Sequence, residues 1–405
     1  MSKPIPCNSL VLTVGPSCSH NYASIKDEFP THEVIWVQNV REELCGDPNR
    51  KDIDNIVFSE IHRRVATKLR LGGRVVVCAP NLRKDSRIGL SDIGLTHGVP
   101  VFYVVCKNNG ASDLNINRFE ASERDILRGD GVAEVVNLRA GHTMTVIPKL
   151  SLVDLGEYIQ NKYKGVTVLG DVHGMYQSFL TSIEWARARN HFVLSLGDII
   201  DYGPDTLECA DEMYRLVMRG SGQILLGNHE RKIARWIDQN ERGRAAMKLS
   251  EGNRVTTQAL NRAGIVARDR WMSRFRGMVY STPRTLQIGD YFFAHAAIHP
   301  SQWEDASADS REIEGLNLYG EYDRSGDPSV HQPTTYEWVK AIPAGKTVIV
   351  GHDVRSTDRP STDINEQGGR AIFLDTGSGK GGTLSSADLR FNNNGQLELQ
   401  NFRMN

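Results

Sequence analysis

A 405-residue chain that is 24% charged and 40% hydrophobic has the make-up of a soluble globular protein with room for two or three domains. Its formal net charge of -1 excludes bulk attraction to an anionic partner, so any hold on phosphate must be local. No apolar run is long enough to span a membrane, the start lacks a cleavable signal pattern, and the six cysteines form no CxxC pair, which predicts a cytoplasmic protein with reduced thiols.

The first expected element is a strand at 10–14, running into Gly15. Short β-branched runs follow at 74–78 and 101–105, with helical stretches such as 56–71 between them. Such runs are typical of buried parallel strands, and the alternation predicts a doubly wound sheet. A boundary is expected near 145–163. Beyond it Val166-Thr167-Val168-Leu169-Gly170 is a second strand-then-glycine start. The fold class is α/β, with domains at 1–150 and 160–405.

From 166 onward the apolar runs end in polar motifs. They are Gly170-Asp171-Val172-His173-Gly174, Gly197-Asp198-Ile199-Ile200-Asp201-Tyr202-Gly203, Gly227-Asn228-His229-Glu230, Ala294-His295-Ala296, Gly351-His352 and Asp375-Thr376-Gly377. Groups at the carboxyl ends of strands converge on one crevice. Carboxylates, imidazoles and an amide oxygen together are a ligand set for two divalent ions, manganese first, with iron, zinc or nickel as alternatives. Asp171 and His173 can share one ion, Asp198 can bridge, and Asn228, His295 and His352 complete the second site. A metal pair can clamp a phosphate and activate water. His229 is free to protonate the leaving oxygen, with Asp201 orienting its ring.

These motifs resemble the calcineurin-like metallophosphoesterase superfamily over about 165–405. They are similar in particular to the phosphatase module of bacterial RNA end-healing kinase–phosphatases, whose tail is matched here by residues 375–384 and, more loosely, by Arg311 and Leu318-Tyr319-Gly320-Glu321. The resemblance implies a metallophosphoesterase α/β sandwich. It implies Asp171, His173, Asp198, Asn228, His295 and His352 as metal ligands, His229 as the acid and Asp375 as an active-site residue beyond the ligands. One departure stands out. The family carries Gly-Asp-x-x-Asp-Arg-Gly, whose arginine grips phosphate, and Tyr202 occupies the arginine's place. A phenol cannot pair bidentately with phosphate. Either Arg231, Lys232 or Arg235 substitutes, or the substrate differs.

Residues 231–276 hold twelve Lys or Arg against four Asp or Glu, a local charge of +8. With Trp236, Trp271 and Phe275 interleaved, the segment reads as a helical basic insert near the site, suited to polyphosphate or single-stranded nucleic acid. The alternative is a solvated helical face with its tryptophans in a local core.

The N-terminal domain resembles a P-loop polynucleotide kinase whose catalytic positions are lost. Where the loop should end Gly-Lys-Ser/Thr, this chain has His20-Asn21-Tyr22. Gln38-Asn39 stands where the kinases carry two acids. The resemblance implies a pseudokinase fused to an end-processing phosphatase or phosphodiesterase. The expected substrates are nucleic-acid ends, RNA foremost, or nucleotide phosphates, with no membrane partner. Rival readings are a serine/threonine protein phosphatase, a dinucleoside tetraphosphatase, and an RNA-binding pseudoenzyme without activity.

Overall fold

Strand β1 (Leu10–Val14) is buried on both faces. Leu10, Leu12 and Val14 enter one apolar cluster and Val11 the other. Both faces are therefore covered, as a parallel sheet requires. The sheet adds β2 (Val34–Trp36), β3 (Val75–Cys78), β4 (Val101–Cys106) and β5 (Glu134–Leu138), all parallel, in the order β2-β3-β1-β4-β5. Helices Val37–Cys45, Asp54–Arg70, Lys84–Thr96 and Asp113–Leu127 alternate with these strands. The computed structural model describes residues 5–16, 25–106, 113–138, 152–241, 247–305, 308, 310–321 and 336–405. The expected loop at 17–22, including His20, Asn21 and Tyr22, lies outside them.

The polypeptide divides into two compact units, Met1–Lys149 with Asp269–Ser281, and Leu150–Arg268 with Thr282–Asn405. The assignment of 269–281 departs from a single boundary near 150. This stretch ends the helix Ile265–Tyr280, and its apolar side is packed within the first unit. Trp271 and Phe275 are buried and stack on one another at 4.6 Å, and Ser273 Oγ lies 3.0 Å from His97 Nδ1. These two aromatics present no face to a base, so their expected stacking role is corrected. Hydrophobic burial, not ligand, placed them in the sequence.

The first unit also holds a buried ion pair. Arg87 Nε and Asp130 Oδ2 lie 2.7 Å apart with both side chains fully enclosed, and Tyr103 Oη donates to the same carboxylate at 3.0 Å. Arg87 also donates to the carbonyls of Asn81 and Leu82.

The second unit stacks two five-stranded mixed sheets. One runs β15-β14-β6-β7-β8, with β6 (Gly165–Leu169), β7 (His191–Ser195) and β8 (Gly222–Ile224) parallel, and with β14 (Ser385–Phe391) and β15 (Leu397–Met404) antiparallel at the edge. The other runs β12-β13-β11-β10-β9, with β10 (Tyr291–Ala294), β11 (Thr347–Val350) and β13 (Arg370–Phe373) parallel between antiparallel β9 (Thr285–Ile288) and β12 (Ser361–Ile364). Val166, Phe192 and Leu194 of the first sheet share one core with Phe293, Ile349 and Ile372 of the second. The basic segment begins here as the helices Asn228–Glu241 and Glu251–Arg262. Among the described residues no helix is long and apolar enough to cross a membrane.

Asp130→Ala should lower the stability of the protein by about 3–5 kcal/mol in urea unfolding, because it leaves the Arg87 charge buried without a counter-charge. The paired replacement Arg87→Met with Asp130→Leu should cost less than either single change.

Candidate metal centre

Six parallel strands each stop just short of a polar residue. β6 leads to Asp171 and His173, β7 to Asp198 and Asp201, β8 to Asn228 and His229, β10 to His295, β11 to His352 and β13 to Asp375. These ends meet. His173 Nε2 lies 3.8 Å from Asp171 Oδ2 and 4.0 Å from Asp198 Oδ2, and His295 Nε2 lies 3.4 Å from Asp198 Oδ2. The Asn228 carboxamide reaches within 2.9 Å of both His295 Nε2 and Asp198 Oδ2. The His352 ring packs edge-on against His295 at 4.9 Å, and its backbone N–H donates to Asp171 Oδ1 at 3.0 Å. Two donor groups result, His173–Asp198–His229 and Asp198–His295–His352, joined through Asp198.

The donor set fits divalent cations. His173 donates its Nδ1–H to the carbonyl of Ile200 at 2.9 Å, and His295 does the same to Leu196 at 3.0 Å. Each ring then turns the Nε2 lone pair inward. His173 Nε2, Asp171 Oδ2 and Asp375 Oδ2 are buried without a hydrogen-bond partner. Lone pairs stranded in this way are costly unless a cation takes them. Burial, then Asp375 and Asp198 beside it, pushes the Asp171 carboxyl well above its usual range. Burial, with His295 adjacent, pushes His352 down to about 3, which keeps the imidazole neutral and able to ligate.

The backbone is bent to hold these groups. Eight described non-glycine residues have positive φ, and five of them are His173, Asp198, Asp201, Tyr202 and His352. Such conformations persist only where the surroundings enforce them. Glu230 is one enforcer. Its buried carboxylate accepts the backbone N–H of Asp198 at 2.7 Å and of Ile199 at 2.9 Å. Burial and the Asp198 charge push it up to about 8, against the backbone hydrogen bond that favours the carboxylate. Gly227 is required by close approach, since a Cβ there would stand 2.3 Å from both Asp198 Oδ1 and Glu230 Oε2.

His229 differs from the other imidazoles. Its Nδ1 faces the Asp201 carboxylate at 2.5 Å, and its Nε2 lies 3.9 Å from Asp198 Oδ2. Burial opposes charge on this ring, but Asp198 and Asp201 outweigh it and raise its pKa. Asp201 is itself gripped by the side chains of Asn253 and Thr256, from the helix Glu251–Arg262. Neither residue carried a signal in the sequence, because the contact spans about fifty positions.

The expected phosphate-binding residues separate. The Tyr202 ring packs against His173 at 4.8 Å and His229 at 5.4 Å, at the centre. Arg231 is turned to Glu314 at 2.7 Å, a partner that competes with any anion. Lys232 is half-buried with Asp201 as its electrostatic neighbour, and Arg235 is exposed one turn further along the helix. Glu321, expected from a motif, accepts the backbone N–H of Glu337 and Trp338 and caps a helix instead. Lys380, inside the glycine-rich tail at 375–384, is a further cation at the centre, and its ammonium stands 4.7 Å from the Tyr202 ring centre. A separate cavity of about 490 Å³, lined by Lys164, Trp185, Arg189, His191, Asp388 and Arg390 among others, shares no residue with the centre.

The model of the calcineurin-like phosphoesterase family matches residues 165–376, a little over half the chain. The chain belongs to that family. It is accordingly a hydrolase of the metallophosphoesterase type. Bis(5′-nucleosyl)-tetraphosphatase PrpE (asymmetrical) of Geobacillus sp. is 24% identical over 234 residues, spanning 55% of this chain and 89% of that protein. The enzyme of the same name from Bacillus velezensis is 24% identical over 230 residues, spanning 54% of this chain and 86% of that one. Among solved structures, the cold-active protein tyrosine phosphatase of Shewanella sp. aligns at 17% identity with a TM-score of 0.33, covering 59% of this chain and 81% of that one.

Asp201→Asn removes a charge that raises the His229 pKa. The ring should then lose its proton at lower pH, and the alkaline limb of the kcat/KM profile should move toward acid. A limb that stays in place would separate His229 from that titration.

Proposed function

We propose that the centre hydrolyses phosphate esters and anhydrides of nucleotides, with two divalent ions held by Asp171, His173, Asp198, Asn228, His295 and His352. The observation that carries this reading is the sharing of Asp198 by two donor groups within one buried cluster. The ions, when bound, supply Lewis-acid polarisation of phosphate and a water acidic enough to attack at neutral pH. The protein's own groups do the rest. Asp198 is held by backbone bonds through Glu230, so its carboxylate needs no reorganisation. His229, whose pKa Asp198 and Asp201 raise against burial, gives its proton to the departing oxygen. Asp375 turns an unpartnered oxygen into the same space and orders the neighbouring groups. Manganese suits the mixed donor set of three oxygen and three imidazole ligands, and iron, zinc or nickel can occupy it.

Nucleotide polyphosphates are the favoured substrate class, on the relatives named as bis(5′-nucleosyl)-tetraphosphatases. A second reading adds processing of RNA ends by a chain whose first domain is a pseudokinase. It is favoured by the wholly parallel α/β unit that precedes the phosphoesterase, where the residues after β1 and β3 are joined by neutral hydrogen bonds as well as by the Arg87 contacts. Thr13 Oγ1 donates to the carbonyl of Ala79 and Asn81 Nδ2 donates to that of Thr13. A protein phosphatase is the remaining rival.

Asp198→Ala should abolish hydrolysis of p-nitrophenyl phosphate and of a bis(5′-nucleosyl) tetraphosphate alike, and chelated wild type should regain activity with manganese. A fully active metal-free protein would refute the mechanism. His229→Ala should slow substrates with a basic alkoxide leaving group far more than p-nitrophenyl phosphate, which needs no proton.

The first unit should transfer no phosphate, since transfer rests on positioned charges. Full-length Asp198→Ala protein, given radiolabelled ATP and 5′-hydroxyl RNA, should leave the RNA unlabelled. End-labelling would make this an active kinase.

A further inference from the structure

The centre contains more negative groups than local cations can answer. Asp171, Asp198 and Asp375 are all buried, and among the cations expected nearby Arg231 is engaged with Glu314. Lys380 is placed differently. Its ammonium makes no ion pair among the described residues, and it is held over the Tyr202 ring at 4.7 Å. That ring in turn touches His173 and His229, so the ammonium stands beside the proton donor and one ligand of the centre.

The loop that carries Lys380 is built rather than loose. Ser378 Oγ donates to the carbonyl of Val172 at 2.9 Å, Thr376 Oγ1 donates to that of Thr383 at 2.6 Å, and the backbone N–H groups of Lys380 and Gly382 both donate to Gly377 at 2.9 Å. Gly379 has a φ of 72°, and a Cβ there would stand 2.7 Å from the His173 carbonyl and 2.8 Å from the His173 Cβ. The loop therefore lies directly on the segment carrying His173, and any larger residue would lift Lys380 away.

We propose that Lys380 is the cation that receives the substrate phosphate, with Tyr202 as the platform that holds it at the centre. This deepens the phosphoesterase reading and rests on it. Burial opposes charge on this ammonium, but the nearby carboxylates of Asp171, Asp375 and Asp198 outweigh it and raise its pKa. Two divalent ions bring four positive charges to those three carboxylates. The ammonium is then no longer needed as their counter-charge, and its three donors are free for phosphate oxygens. A point charge of this kind has no fixed fork and accepts phosphates in several orientations, unlike a guanidinium. That property suits a chain of linked phosphates better than a single oriented monoester.

The test compares wild type, Lys380→Gln and Lys380→Arg, each loaded with manganese. Metal content is measured by mass spectrometry, inorganic phosphate binding by calorimetry, and kcat and KM on p-nitrophenyl phosphate and a bis(5′-nucleosyl) tetraphosphate. Lys380→Gln should keep its metal, weaken phosphate binding by about 10- to 100-fold and raise KM by a similar factor, as for a lost charged hydrogen bond. Lys380→Arg should recover much of both. Unchanged phosphate affinity in Lys380→Gln would overturn the proposal. So would loss of metal, since Lys380 would then serve the carboxylates alone. If wild type hydrolyses neither substrate, the phosphoesterase reading fails, while the phosphate titration still decides the role of Lys380.

Discussion

Asp198 stands where the demands of the second unit meet. Its side chain lies within 4 Å of three imidazole nitrogens, from His173, His229 and His295, and its backbone is bonded to Glu230. In water such a carboxylate would be hydrated. Here it is buried, and the unpartnered lone pairs of His173, Asp171 and Asp375 lie in the same centre with too few protons to go between them. The arrangement is unfavourable for an ion-free fold and favourable for one that binds cations. Much of the local architecture can be derived from that condition. The strands deliver donors from two sheets to one edge, the positive-φ turns aim them, and Gly227 lets the helix Asn228–Glu241 begin against the carboxylate.

The same constraint separates two kinds of histidine. An imidazole whose Nδ1 meets a carbonyl is fixed in the tautomer that offers Nε2 to a cation. His173 and His295 are of this kind. An imidazole whose Nδ1 meets a carboxylate is stabilised as the cation. His229, facing Asp201, is of that kind. The proposed ligands and the proposed acid therefore differ by the partner of one nitrogen. The spacing Asn228-His229 puts the two functions on adjacent residues, and the Asp201 contact, braced by Asn253 and Thr256, keeps them distinct.

This division explains which parts were readable from the sequence. The candidate metal donors were legible as a set because each sits within a few residues of an apolar strand, so a local motif carries both the element and its polar end. Glu230 was visible in Gly227-Asn228-His229-Glu230, but its work on the Asp198 backbone was not. Asn253 and Thr256 were illegible, since nothing local marks a helix that will brace a carboxylate fifty residues earlier. The basic segment misled through its composition. Charge density over 231–276 cannot say that Trp271 and Phe275 are buried or that Arg231 is paired with Glu314. In the first unit β1, β3 and β4 followed from their β-branched runs while β2 and β5 were not marked, and the enclosed Arg87–Asp130 pair joins positions 43 apart and left no trace.

A centre that loses an arginine from its motif has lost a planar fork, and no single residue at that position can return it. Tyr202 fills the space and contributes an aromatic face. An aromatic face attracts an ammonium from elsewhere in the fold, and the loop at 375–384 can supply one because Gly379 lets it lie against His173. Charge at the phosphate position is then a property of two segments far apart in sequence, one offering the platform and the other the cation. Reading either motif alone gives a defect at Tyr202 and an unremarked lysine in a glycine-rich tail. Only their approach across the centre turns the two into one feature, with a point charge where the motif would have placed a fork.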